Sequence, residues 1–576
     1  MAEQPNLIKP IERFIRLVLV DIDIVYKLYT YAIFLGGLNL TLPLGVQAII
    51  GLISSGRINT TWVALILFTV LGITLYGITN YFQMQLLEKM QQRIFTRAAL
   101  EFAYRIPRMR LDNLYQYYPP ELVNRFFDIL TVQKGLSKIL MDFSTSVLQI
   151  LFGLVLLGFY HSLFVFFGFF LLLILVSIIY FSGPLGLASS IKESKYKYEI
   201  VYWLEELARA LETFKLAGEP LFAMGKTDRL TQKYLEYRTK HFKILAFQYS
   251  TIVVFKVIVT VGLLVLGSFL VISKEINVAQ FVASEIVIIL VMSSTEKLIT
   301  SLEVIYDVLT ALDKIGYLTD IPMEPIGGVK FQDIDTGKGM KLTIRDLHYK
   351  HPFADFEAIK GINLDIQPNE KVCIAGFSGS GKTTLITLIA GILNDYQGVI
   401  SYNDNPFHVL DRTSLREHIG DTLSQEIIFH GTIEENIWLS KDEVSRDLML
   451  WVADAVGLTE SVSKLPLGFD TELQANDKRF PSSFLRKIIL ARSFAEKPRL
   501  LVMDDIIYGF DYHDTQKIIN TLVNPAHNWT LIIVTRNPEI AKACDRIIVM
   551  KDGQILEEGT YHDIQQKPYY NEIFYY

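Results

Sequence analysis

Gly376-Phe377-Ser378-Gly379-Ser380-Gly381-Lys382-Thr383 meets the phosphate-loop pattern G-x-x-x-x-G-K-[ST] at every fixed position. Residues 371–375 before it read as a short buried strand, and 384–390 after it as a helix. A polyphosphate needs this order of parts. Glycines let backbone N–H groups curl around the anion, and the start of the helix adds partial positive charge. Lys382 is placed to reach the β- and γ-phosphates. The Thr383 hydroxyl, followed by Thr384, is placed for Mg²⁺.

Working outward, 576 residues predict two or more domains. Hydrophobic residues make up 51% and charged ones only 20%, too apolar for an ordinary cytosolic enzyme. Membrane spans are the expected cause. The net charge of −6 gives no basic surface for nucleic acid, so no nucleic-acid partner is expected. Cys373 and Cys544 are the two cysteines, and both fall in the part read as cytosolic. Neither a disulfide nor a metal framework is expected. The N-terminus lacks the pattern of a removable signal peptide.

Residues 7–29 mix apolar positions with Arg13, Arg16, Asp21 and Asp23. They suit an amphipathic elbow over 1–29 lying on membrane lipid, or equally the start of the first span. Long uncharged tracts follow. They predict six membrane helices near 30–53, 61–83, 141–160, 162–183, 250–273 and 277–300, within a domain spanning 30–317. Lysine and arginine concentrate in the long connections 84–140 and 184–249, which places those connections and both termini in the cytosol of an inner (plasma) membrane protein. Both connections read as helices projecting beyond the bilayer. Each has one break, 117–121 and 217–220, where a hairpin tip would touch another domain.

Helix rise places Lys256 and Glu296 at similar depth, roughly 25–28 Å from the outer ends of their helices, so they can pair. Glu285 is shallower, at roughly 12 Å. It is open to two readings, a place on a substrate pathway or a helix–helix hydrogen bond.

Residues 318–340 read as a polar linker, and 341–576 as a soluble α/β domain. The expected fold class is therefore an all-α polytopic membrane domain joined to an α/β P-loop nucleotide-binding domain. Leu500-Leu501-Val502-Met503-Asp504-Asp505 is a buried strand tipped with carboxylates. Asp504 suits Mg²⁺, and an acid after it can polarise an attacking water.

The order of spans, linker, phosphate loop, Leu423-Ser424-Gln425-Glu426 with Gly431-Thr432-Ile433, and acid-tipped strand resembles an ABC exporter half-transporter. Asp552-Gly553-Gln554-Ile555 with Glu558-Gly559-Thr560 is similar to that family's closing hairpin. The resemblance extends over essentially the whole chain. It is nearest to type I secretion exporters of the haemolysin kind, without their N-terminal peptidase-like domain. It implies Gln425 as the loop glutamine that senses Mg²⁺, and His351 or Tyr349 as the ring stacking on adenine, with spacing favouring His351. It also implies that 119–125 and 213–219 are the two coupling helices.

The departures from the family pattern are specific. The register fixed by Lys487-Ile488-Ile489-Leu490-Ala491-Arg492 puts Phe480-Pro481-Ser482-Ser483-Phe484 where the family has Leu-Ser-Gly-Gly-Gln. Pro481 removes a hydroxyl and an N–H. Ser482 and Ser483 keep N–H groups at a helix start, able to bind phosphate weakly. Residues 471–477 stand where the family usually has glycine-bearing residues. The catalytic glutamate is Asp505, one methylene short, and the switch histidine is Arg536.

The resemblance implies an exporter half that binds ATP and Mg²⁺ and hydrolyses slowly, with peptide or protein as substrate. The alternatives are a poorly hydrolysing subunit that pairs with or regulates another half-transporter, and a lipid or amphiphile exporter. Implied partners are a second half, of the same or a different chain, and membrane-fusion and outer-membrane secretion components.

Overall fold

The structure, a computed structural model, describes residues 8–54, 60–115, 119–218, 220–423, 428–439, 445–475, 477–495, 498–505, 507 and 509–574. The chain divides into two compact units. One is 1–107 with 117–321, and the other is 108–116 with 322–576.

The first unit is helical. Its elements are α1 (Ile8–Val20), α2 (Ile22–Leu38), α3 (Thr41–Ser54) and α4 (Thr60–Arg105), then, after the short α5 (Leu111–Leu114) of the other unit, α6 (Pro119–Asn124) and α7 (Asp128–Lys138). They continue as α8 (Ser144–Tyr160), α9 (Ser162–Arg209), α10 (Leu211–Ala217), α11 (Pro220–Ile272) and α12 (Val278–Thr319). Among the described residues, six stretches are long and apolar enough to cross a membrane: Ile22–Ser54, Thr60–Arg108, Pro120–Tyr160, Ser162–Arg209, Leu221–Ile272 and Val278–Thr319. These match the six expected spans, and the chain is a multi-pass membrane protein.

The helix that carries the first span begins before residue 30. Helix α1 stops at Val20 and α2 begins at Ile22. Asp21 sits in the gap, 2% exposed, held by Arg97 at 3.0 Å and Arg93 at 3.4 Å on α4. Helix α1 is also tied to the end of α12, where Arg13 reaches Asp320 at 2.6 Å. Lys256 meets Glu296 at 2.6 Å, as their depths predict. One oxygen of Glu285 is buried without a hydrogen-bond partner among the described residues.

The second unit has two sheets. An antiparallel one runs β2 (Ile359–Ile366), β1 (Leu342–Tyr349), β4 (Gln397–Tyr402), β5 (Asn405–Pro406). The larger one runs β12 (Gln554–Gly559), β11 (Arg546–Lys551), β3 (Lys371–Gly376), β10 (Thr530–Val534), β9 (Leu500–Asp504), β6 (Ile419–Asp421), with β12 alone antiparallel. A two-stranded piece pairs β7 (Gly431–Thr432) with β8 (Glu472–Leu473). Strand alternation divides the buried side chains between two cores. Val372 and Ile374 join the cluster that includes the antiparallel sheet, while Cys373 and Ala375 face the cluster that includes the helix Ser482–Ala495. Both cysteines are free and buried.

The segment 108–116 is a piece of the first half that belongs to the second unit. Its anchor is Asp112, 8% exposed, which accepts from the Tyr349 hydroxyl at 3.0 Å and from Asn394 N at 3.0 Å. Asp112→Ala leaves both donors buried and unpaired, an expected loss of about 2–3 kcal/mol. Hydrogen exchange should show faster amide exchange across 108–116 in the variant, and unchanged exchange would count against Asp112 as the anchor. The expected second break falls between α10 and α11, where Gly218 ends α10 at φ +67°.

Candidate nucleotide-binding site

The site is built at the C-terminal edge of the larger sheet. Strand register aligns Ile374 with Val534, and Val534 with Asp504. The phosphate-loop strand, the strand leading to Arg536 and the acid-tipped strand therefore end side by side. Helix α13 (Lys382–Ile389) leaves directly from the loop.

Glycine is required at two loop positions. Gly376 has φ +146°, and a Cβ there would lie 2.2 Å from Met550 O on β11. Gly381 has φ +92°, and its Cβ would lie 2.5 Å from Ala358 O. Backbone atoms cannot swing aside as a flexible side chain can. Gly376→Ala is expected to cost about 3 kcal/mol or more, combining left-handed strain with overpacking. Urea unfolding of the purified chain would read it, and a shift below about 1 kcal/mol would contradict it.

Within the loop, Lys382 Nζ donates to Phe377 O at 2.6 Å, Gly376 O at 3.1 Å and Ser380 Oγ at 3.3 Å. Burial, and then the nearby charge of Arg536, push its ammonium below the usual lysine range. An arriving polyanion reverses that penalty. Thr383 Oγ1 donates to Asp504 Oδ2 at 2.8 Å. A hydroxyl beside a carboxylate is a hard oxygen pair, so these residues fit Mg²⁺. When bound there, Mg²⁺ neutralises phosphate charge.

A cavity of about 450 Å³ opens over the loop, lined by Gly379 through Thr384, His351, Phe356, Glu357, Ala358, Lys360, Asp552 and Gly553. Of the two rings expected to stack on adenine, only His351 lines it. Tyr349 is 2% exposed, inside the core, with its hydroxyl on Asp112. His351 Nε2 lies 3.1 Å from Thr384 Oγ1, and its ring meets Tyr349 and Tyr115 edge-on at 4.9 and 5.8 Å. Burial lowers its pKa below the usual histidine value, which favours a neutral ring. Phe356 was missed by sequence reasoning. It is 71% exposed in the loop between β1 and β2, where no spacing rule singles it out.

Asp505 takes a left-handed backbone, φ +41°. Its N–H donates to Val534 O at 2.9 Å, and Oδ1 accepts from Thr535 Oγ1 at 3.3 Å. Arg536 follows Thr535 at the same sheet edge and acts electrostatically on both Lys382 and Asp505. Gln425 lies outside the described residues.

Ser482 and Ser483 do not line this cavity. They are the first two residues of the helix Ser482–Ala495, whose opening bonds go from Phe484 N and Leu485 N to Pro481 O. Around them the altered signature forms an apolar clamp. The Phe480 and Phe484 rings stack at 4.9 Å, and Phe484 is 7% exposed. Arg479 hydrogen-bonds Asp477 just upstream and holds that carboxyl well below the usual range. This clamp, too, was not visible in the residue spacing.

Residues 359–507 match the family described as ABC transporter, and residues 28–295 match the ABC transporter transmembrane region. The transport/processing ATP-binding protein ComA of Streptococcus pneumoniae (strain ATCC BAA-255 / R6) is 23% identical over 525 residues, covering 90% of this chain and 72% of that protein. An ATP-dependent lipid A-core flippase of Saccharophagus degradans is 24% identical over 359 residues, covering 62% of this chain and 60% of the flippase. For several other curated relatives the match spans about half of their length. A bacterial Atm1-family ABC exporter solved with ATP bound has the same fold, with TM-score 0.80, 17% identity and 96% of each chain covered. With both domain matches in one polypeptide, the chain belongs to the ABC transporters, with one membrane domain and one nucleotide-binding domain in the fold of an exporter.

Proposed function

We propose that the chain binds Mg-ATP and uses that binding, with slow hydrolysis, to switch an export pathway between inward- and outward-open states. The observation that carries this reading is the contrast within the site. Lys382 is held inside the loop by Phe377 O, and Thr383 donates to Asp504, the arrangement a nucleotide site needs. Asp505, Arg536 and Pro481 stand where the family pattern has other chemistry. His351 is the proposed base-stacking residue, with Gly376 through Thr384 cradling the phosphates. Thr383, Asp504 and Gln425 are the proposed Mg²⁺ ligands. Ser482 and Ser483 are proposed to meet nucleotide held by a second half.

The proposed substrate is a peptide or protein. Lipid is the alternative, supported by the printed name of the flippase relative. Both termini are placed in the cytosol of an inner membrane, following the lysine and arginine bias. Membrane-fusion and outer-membrane components are the proposed further partners.

The test is transport by the chain alone in proteoliposomes. ATP-driven uptake of labelled peptides, absent with ADP, supports the exporter reading. No uptake of peptide or fluorescent lipid, with ATP still bound, overturns it and favours a subunit that acts through a more active half.

A further inference from the structure

At the far end of α13, about 13 Å along the helix from Lys382, three arginines and one carboxylate lie close enough to act on one another. Arg416 grips Glu324 through Nη1 at 2.7 Å and Nη2 at 2.6 Å, and Nη2 also donates to Gly391 O at 2.6 Å. Arg412, on the five-residue helix Arg412–Arg416, lies over the Phe407 ring at 5.0 Å. Arg110, from the 108–116 segment, and Arg416 both press positive charge on Arg412, and Glu324 opposes them.

The arrangement has more positive charge than its carboxylate answers. Two acids close to these arginines in sequence have oxygens engaged by other donors. Asp112 holds Tyr349 and Asn394, and Asp411 accepts from Ser414 N at 2.8 Å and Gly327 N at 3.2 Å. Three buried donors, Arg110 Nε, Arg412 Nη1 and Arg416 Nε, find no hydrogen-bond partner among the described residues. Water can answer an idle N–H, but it does not neutralise crowded cations in a low dielectric. As whole residues Arg110, Arg412 and Arg416 are half-buried, so part of each guanidinium-bearing side chain is open to solvent although these donors are covered. Guanidinium forks match the oxygen spacing of phosphate.

We propose that Arg110, Arg412 and Arg416 form a second phosphate-binding site, separate from the phosphate loop. Its ligand is a phosphate group, either free or carried on a lipid headgroup.

The test uses the full chain in detergent on a Lys382→Ala background, which weakens the phosphate loop's own response. Inorganic phosphate should raise the unfolding temperature saturably, beyond chloride at equal ionic strength. Adding Arg412→Gln should weaken the apparent phosphate affinity at least about tenfold. Arg110→Gln, outside the sheets, serves if Arg412→Gln does not fold. Dioctanoyl phosphatidic acid binding more tightly than glycerol phosphate assigns the group to a lipid, and equal binding assigns it to a soluble phosphate. A phosphate response no larger than that of chloride overturns the site, as does one that survives both glutamine substitutions.

Discussion

Lys382→Ala is expected to weaken nucleotide binding at least about a hundredfold, equivalent to about 2.7 kcal/mol. The argument begins with what the ammonium does before nucleotide arrives. It is half-buried and folded back on Phe377 O, Gly376 O and Ser380 Oγ, so it is already held inside the loop. Burial and Arg536 both disfavour its charge there. A β- or γ-phosphate relieves that cost and accepts charge-assisted hydrogen bonds, each worth about 1.5–3 kcal/mol. Alanine removes the charge and every donor, while the loop glycines and the start of α13 remain. Titration with a fluorescent ATP analogue in Mg²⁺ reads the loss directly. A variant within about threefold of the parent would mean that the backbone cradle alone holds nucleotide, and Lys382 would lose its assigned role.

The parts of this protein written in local pattern were legible from sequence. A bilayer demands long uncharged helices, and a phosphate demands a glycine-rich turn after a strand. Both requirements act on consecutive residues. The pairing of Lys256 with Glu296 also followed, because helix rise converts position into depth. The parts set by tertiary contact were not legible. Arg108 to Gln116 carries no apolar period that assigns it to the second unit. It is placed there through Asp112, whose partners Tyr349 and Asn394 are more than two hundred residues away. Tyr349 and His351 are two residues apart on one edge. Strand alternation would give both the same face, but β1 ends at Tyr349, whose ring stays in the core, and His351 beyond it lines the cavity. The clamp of Phe480 on Phe484 could not be foreseen from a degenerate motif, since only packing shows that Phe484 turns inward.

Slow turnover is expected to arise from several altered residues at once, so the decisive variant changes them together. A chain carrying Asp505→Glu, Arg536→His, Pro481→Ser, Ser482→Gly and Ser483→Gly should hydrolyse ATP at least about a hundredfold faster than the parent, a gain of about 2.7 kcal/mol in transition-state stabilisation. Single replacements should recover little, because residues that act as a unit are not additive. Two structural costs shape the design. Asp505 sits at φ +41°, where aspartate is better tolerated than longer residues, so glutamate gives back up to about 1 kcal/mol of stability. Phe484 is stacked on Phe480 and 7% exposed, so replacing it with the family's glutamine would open the core for about 3 kcal/mol. It is therefore retained. Steady-state ATPase assays on reconstituted protein, with Lys382→Ala added as the zero, give the measurement. Parent activity already at the level of the combined variant would remove the case for an impaired site. A combined variant that binds ATP and still does not turn over would place the missing chemistry in a different partner chain, and the subunit reading would then replace the self-sufficient exporter.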